Sequence, residues 1–272
     1  MKIPEFLQKI PWLRVACILA GALVLMLVLV LPGLAPEAEI PTEPTLPPPE
    51  ENPYSPEDFY MENGILLCSA SQTLLGIDVS AHQKVIDWQK VADFGVNFAI
   101  IRLGYRGYVY GELHADELFR ENVRAAREAG IRVGAYFFSQ ALNEQEAREE
   151  AEFALSVLEG VTLDLPLAYD WERMGDDSRT AQMDRRTLTD CTKAFCTVTE
   201  NAGVDTMIYF NSSQALNLLH LEELTDYPFW LAMYDVTMDF PYRFDYWQYS
   251  NLGVIPGIET KVDLNLLFVN QE

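Results

Sequence analysis

From residue 74 onward the chain alternates short β-rich runs with segments of helical spacing, and this alternation limits its fold more than any other feature. Strands that alternate with amphipathic helices pack as a parallel sheet with the helices outside it. Residues 74–80 (LLGIDVS) read as a first strand, after which Asp87 can cap a helix that runs to Phe94 and stops at Gly95. Residues 97–105 (NFAIIRLGY) form a second strand, followed by helical spacing over 116–129 that ends at Gly130. A third strand at 132–140 (RVGAYFFSQ) leads into a long polar-faced helix over 143–158. A fourth at 166–172 (PLAYDWE) leads through a loop to a helix over 186–201. A fifth at 206–211 (TMIYFN) precedes a short helix over 213–219, and runs at 229–235, 244–250 and 262–267 follow with only loops between them. Eight strands in about 200 residues predict an α/β fold, a TIM-like irregular (β/α) barrel. Its first five strands connect through helices and its last three through loops. A doubly wound open sheet is the structural alternative, but no Gly-rich fingerprint follows the first strand to mark a nucleotide site.

Upstream of this domain the composition changes twice. Residues 15–31 are an unbroken apolar run, VACILAGALVLMLVLVL, that spans about 26 Å as a helix, near the short limit for crossing a bilayer. Lys2, Lys9 and Arg14 precede it and Glu37, Glu39 and Glu43 follow, so the positive-inside rule keeps residues 1–14 in the cytoplasm and exports the rest. Residues 15–32 therefore read as a single-pass signal-anchor that holds the protein to the cell membrane. Cleavage after Gly33-Leu34-Ala35 would give a secreted form instead, although Pro36 directly behind the cut should hinder it. Residues 33–57 are rich in Pro and Glu and predict an extended, solvated linker. Residues 58–73 form a lead-in, with 65–67 as an extra edge strand or hairpin, and 74–272 the globular domain.

A net charge of −22 disfavours a nucleic-acid partner, which would need a basic footprint. Cys17, Cys68, Cys191 and Cys196 make no disulfide or metal-ligand pattern and read as small hydrophobes. Oligomeric state is not legible.

In barrels of this kind the chemistry sits at the C-terminal ends of the strands. Acidic residues stand there repeatedly: Asp78 on the first strand, Asp170 and Glu172 on the fourth, Asp235 on the sixth and Asp263 on the eighth. Residues two apart on a strand share a face, so Asp170 and Glu172 project together with Cα atoms roughly 6.5–7 Å apart, while Trp171 points the other way. Like charges this close push at least one pKa upward, and a protonated acid beside an ionised partner is what glycosidic cleavage requires. Tyr105, Tyr136, Tyr169, Tyr209, Trp230, Tyr234 and Trp247 surround the same mouth and could stack on sugar faces. Four carboxylates could also hold Mg²⁺ or Ca²⁺. His82 lacks a second His for a zinc site, and no nucleophile elbow is present, so neither metal nor cofactor is expected.

The chain resembles the glycoside hydrolase family 25 lysozymes, the Chalaropsis-type muramidases, over nearly all of 74–268. The likeness rests on Gly76-Ile77-Asp78-Val79-Ser80 with His82-Gln83, Ile86-Asp87-Trp88, and Phe98-Ala99-Ile100-Ile101-Arg102 with Gly104-Tyr105. It continues through Gly134-Ala135-Tyr136-Phe137-Phe138, Tyr169-Asp170-Trp171-Glu172, Ile208-Tyr209-Phe210-Asn211, Trp247-Gln248-Tyr249, and Pro256-Gly257 ahead of Val262-Asp263-Leu264-Asn265. The resemblance implies a cofactor-free hydrolase of the β-1,4 bond between N-acetylmuramic acid and N-acetylglucosamine, with peptidoglycan glycan strands as its partner. Glu172 then matches the general acid. Asp170 matches a carboxylate that orients the substrate's N-acetyl group or assists as base, and Asp78 and Asp263 match further acids of the groove. Gln248 joins Tyr105, Tyr136, Tyr209, Trp230 and Tyr234 among the expected substrate contacts. Substrate-assisted and direct water attack both stay open. Met233 stands where the family commonly has Gln, and Arg173-Met174 where many members carry another acid. A catalytically silent glycan-binding module that tethers membrane to wall, and a hydrolase of another N-acetylated glycan such as chitin, are the competing functions.

Overall fold

The computed structural model describes residues 46–234 and 238–269. The cytoplasmic segment, the signal-anchor and the greater part of the linker lie outside the described residues, as does Asp235. Among the described residues no helix is long and apolar enough to cross a membrane.

Eight strands close into a barrel: β3 (Gln72–Val79), β4 (Phe98–Arg106), β6 (Arg132–Ser139), β7 (Leu167–Trp171), β8 (Thr206–Asn211), β9 (Phe229–Ala232), β10 (Tyr246–Gly253) and β11 (Val262–Val269). Neighbours from β3 through β10 pair in parallel, whereas β11 runs antiparallel to both β10 and β3. A short strand, β5 (Leu113–Ala115), forms a hairpin with the end of β4.

The helices are α1 (Trp88–Phe94), α2 (Phe119–Glu128), α3 (Glu144–Val157), α4 (Arg185–Asn201) and α5 (Ser212–Leu218). They fall where the alternation predicts, and their starts follow from capping. Asp87, Asn143, Asp184 and Asn211 each accept the backbone N–H three residues on, so one of the first turn's free donors is satisfied in each helix. The helix expected to begin at Asp116 begins at Phe119 instead. The Asp116 carboxylate takes Arg102 and the amides of Ala81 and Leu118, which ties β4 to the end of β3.

Alternation along the strands separates two apolar layers. Phe98, Ile100, Ala168, Met207, Tyr209, Trp230 and Tyr246 pack inside the barrel. Their neighbours in sequence, such as Ile101, Tyr169, Phe210 and Trp247, pack outside it. Gly76 makes this interior possible, because a Cβ there would lie 2.1 Å from the Phe98 ring.

Among the described residues no helix follows β9 or β10 to cover the outer faces of the last strands. The segment before the barrel covers them instead. A hairpin of β1 (Phe59–Glu62) and β2 (Ile65–Cys68) lays Phe59 against Trp247, with ring centroids 4.9 Å apart, and Tyr54 stacks on Phe268 at 4.7 Å. The expected solvated linker therefore ends early. Pro49 is buried, Glu50 O accepts from Arg243 N, and Asn52 bonds the carbonyls of Phe240 and Pro241. These contacts lie at the start of β10 and the end of β11, so the chain reaches the barrel on the face opposite the C-terminal ends of its parallel strands. Cys191 and Cys196 are buried in α4 against the sheet, and burial raises both thiols.

Candidate active site

The mouth at the C-terminal ends of the parallel strands is a groove of about 530 Å³. It brings together Asp78, Asp170, Glu172 and Asp263 with Tyr105, Tyr136, Tyr209, Trp230, Tyr234 and Gln248. Asp170 faces inward between Phe138 of β6 and Tyr209 of β8, with Glu172 one residue past the end of β7. Asp263 arrives differently from expectation. It is the second residue of β11, but that strand is antiparallel, so its N-terminal end meets the others' C-terminal ends and Asp263 pairs directly with Asp78. Like charges directly opposite on one face of a sheet repel.

Two expected aromatics point away from the groove. Tyr169 has the parity of Trp171, and its hydroxyl meets Ser139 Oγ at 2.9 Å in the outer layer. Trp247 lies under the β1–β2 hairpin and donates to Met233 O. Met233 also packs in the outer layer, so this departure from the family pattern does not reach the groove, whereas Met174 lines it.

Asp78 is the hub. Its Oδ2 accepts from Gln248 Nε2 and from Asn265 Nδ2, each at 2.8 Å. Gln248 Oε1 accepts in turn from the hydroxyls of Tyr209 and Tyr234, and Asn265 Oδ1 accepts from Trp230 Nε1. Gln248 thus spends its side chain on the protein, and the rings of the two tyrosines are what remain for a ligand. Burial lifts Asp78 to about 6, against the pull of its two amide donors, which favour the charged form. Burial and then the Asp78 charge raise Glu172. Burial, Asp78 and Glu172 lift Asp263 to about 8. Asp170 is pushed far up by burial, Glu172 and Asp78, with Arg102 opposing, and its buried Oδ1 has no hydrogen-bond partner among the described residues. Near neutral pH the arrangement therefore favours charge on Asp78 and a proton on Asp263, and pushes Asp170 and Glu172 toward their acid forms.

Several residues of this site carry no role in the sequence reading. Arg102 follows Phe98 and Ile100 by steps of two, so strand periodicity alone aims it inward. Gln140 Nε2 donates to Glu172 O and Gln214 Nε2 to Trp171 O, at 2.8 and 2.7 Å, which fixes the backbone beyond the last rung of β7. Local pattern gives no signal for either amide. Among the described residues no group of three or more His, Cys, Asp or Glu is arranged to hold a metal ion.

The family model "Glycosyl hydrolases family 25" matches residues 77–258. The uncharacterized protein YegX of Escherichia coli K12 is 31% identical over 203 residues, 72% of this chain and 70% of that one. Lysozyme M1 of Streptomyces globisporus is 29% identical over 209 residues (70% and 66%), and the autolytic lysozyme of Clostridium acetobutylicum 25% over 191 (70% and 54%). Among solved structures, the modular autolysin LytC of Streptococcus pneumoniae superposes with a TM-score of 0.65 at 25% identity, covering 77% of this chain and 52% of its own. The chain thus spans about half of that autolysin. A family 25 glycosyl hydrolase of Bacillus anthracis shares the fold with a TM-score of 0.63 at 21% identity, covering 75% and 93%.

Proposed function

Since the chain belongs to glycosyl hydrolases family 25 and is a glycoside hydrolase of the lysozyme type, we propose that it hydrolyses peptidoglycan at the β-1,4 bond between N-acetylmuramic acid and N-acetylglucosamine. The observation that carries this reading is the set of four carboxyls gathered in one groove. Asp170 and Glu172 share a face of β7, and the Asp78–Asp263 pair stands across the mouth. Glu172 is less deeply set than Asp170, and its raised pKa favours the acid form that can give a proton to the leaving oxygen. The proton from Glu172 completes the new alcohol, a water supplies hydroxyl to the anomeric carbon, and the water's remaining proton restores the Glu172 carboxyl. Asp170, with an oxygen unpartnered among the described residues, would bond the substrate's N-acetyl group. Tyr136, Tyr209 and Trp230 wall the groove as apolar faces for the sugars.

We further propose that this chemistry takes place outside the cell, on a barrel held to the membrane by residues 15–32. The apolar run and its flanking charges support this. So does the attachment of residues 49–54 at the base of the barrel, which keeps this part of the chain clear of the groove.

Mass spectrometry of a purified-peptidoglycan digest tests the bond cleaved. Products ending in reducing muramic acid are expected, and Glu172→Gln should abolish them while thermal unfolding is retained. A reducing N-acetylglucosamine end would overturn the bond assignment, and full activity of the variant would remove Glu172 as the acid. Turnover of chitin oligomers alone, or wall binding without turnover, would favour the competing functions.

A further inference from the structure

β4 and β5 are antiparallel neighbours whose last pair is Arg106 with Leu113, a junction that two residues could close. Six residues, 107–112, close it instead, at the rim of the mouth. They carry Tyr108, Val109 and Tyr110, which are 49%, 52% and 85% exposed. Tyr108 lines the catalytic groove, so the loop continues one wall of the site.

This loop is braced from beneath. Gly107 N donates to Glu112 O and Gly111 N to Gly107 O, which closes the turn on itself. Arg106 Nη1 donates to Gly111 O while its Nε holds the fully buried Glu150 at 2.7 Å. Arg179 N donates to Tyr108 O, and Arg179 Nη2 pairs with Glu146 at 2.7 Å. Gly111 adopts φ +84°, and a Cβ there would lie 2.3 Å from Arg179 Nη1, so the arginine passes directly under the turn. Two arginines and two glutamates thus hold a loop whose aromatic side chains touch little of the protein. Exposed apolar rings cost solvation, and rigid ones cost little further entropy when a ligand covers them.

We propose that Tyr108 and Tyr110 form a distal sugar subsite, which takes a saccharide residue of the glycan strand beyond those over the four carboxylates. The occupant is the same polymer because the wall is continuous through Tyr108. This rests on the hydrolase reading above and adds to it a preference for long strands over short ones.

The test uses binding, so that it stands apart from turnover. Calorimetry on the full chain carrying Glu172→Gln is run with peptidoglycan saccharides of two, four and eight sugars. Affinity should rise with length, Tyr110→Ala should lower affinity for the eight-sugar oligomer about tenfold more than for the two-sugar one, and Tyr110→Phe should retain the rise. An affinity independent of length, or a rise that survives Tyr110→Ala, would overturn the subsite. Failure of the unsubstituted enzyme to cleave the eight-sugar oligomer would instead overturn the hydrolase reading, leaving the binding result to stand.

Discussion

Neutralising Asp263 should make the protein more stable and less active. Asp263 faces Asp78 across an antiparallel rung, and burial with the charges of Asp78 and Glu172 lifts its pKa from 3.8 to about 8. A folded-state pKa above the unfolded value means that the carboxyl favours the fold fully below about pH 4 and loses that contribution as pH rises through about 8. Each unit is worth about 1.4 kcal/mol, so the whole shift corresponds to ~5–6 kcal/mol. Part of that repulsion is shared with Asp78 and Glu172, which relax together, and Asn brings its own need for partners. A net gain of ~2–3 kcal/mol at pH 8 is the expected remainder, or roughly 5–10 °C in melting temperature for a domain of this size. Thermal melts of Asp263→Asn and the parent at pH 4 and pH 8 provide the assay. The gain should be present at pH 8 and nearly absent at pH 4. Equal melting temperatures at pH 8, or the same gain at both pH values, would refute the electrostatic account.

Asn265→Leu removes one amide from Asp78 and orphans Trp230 Nε1. Losing a charge-assisted bond of ~1.5–3 kcal/mol should raise Asp78 by roughly 1–2 units and carry the acid limb of the kcat/KM profile upward by the same amount. A limb that stays in place would mean that Asp78 ionisation does not control activity. Phe59→Ala uncovers Trp247 and Phe268, where no helix can close over them, and should cost ~3–4 kcal/mol in urea unfolding. A loss under 1 kcal/mol would show that the hairpin merely rests on the barrel. With a net charge of −22 against an anionic wall, raising ionic strength from ~20 to ~150 mM should speed wall hydrolysis by screening repulsion; a steady fall would contradict this.

The barrel was legible because its strands alternate with capped helices, and the Asp170–Glu172 face because strand periodicity is two. Strand direction was the harder matter. Residues 254–261, between β10 and β11, are too few for the crossover of about a dozen that parallel pairing needs, whereas residues 233–245 between β9 and β10 suffice. That length difference separates the parallel β9–β10 pair from the antiparallel β10–β11 pair. The wall aromatics could be sorted by the same periodicity: Asp170 inward requires Tyr169 outward, and Gln248 inward requires Trp247 outward. What no local pattern carries is the role of residues distant in sequence, such as Gln140 and Gln214 on the β7 carbonyls or the hairpin at 59–68 that does the work of a helix.

The reversal of β11 has a chemical consequence. A parallel eighth strand beginning at the same residue would leave both Asp263 and Asn265 toward the base of the barrel, away from Asp78 at the mouth. Run the other way, one strand delivers both a like charge and an amide to Asp78, on the same face and two residues apart. The amide, with Gln248, keeps Asp78 ionised. The ionised Asp78 then raises Asp263, Glu172 and Asp170 in turn. Four carboxyls in one groove would otherwise share their protons ambiguously. Because two amide donors converge on Asp78, the charge is favoured there and the other three are pushed toward the acid form, which on the proposed reading is what glycoside cleavage needs from the Asp170–Glu172 pair.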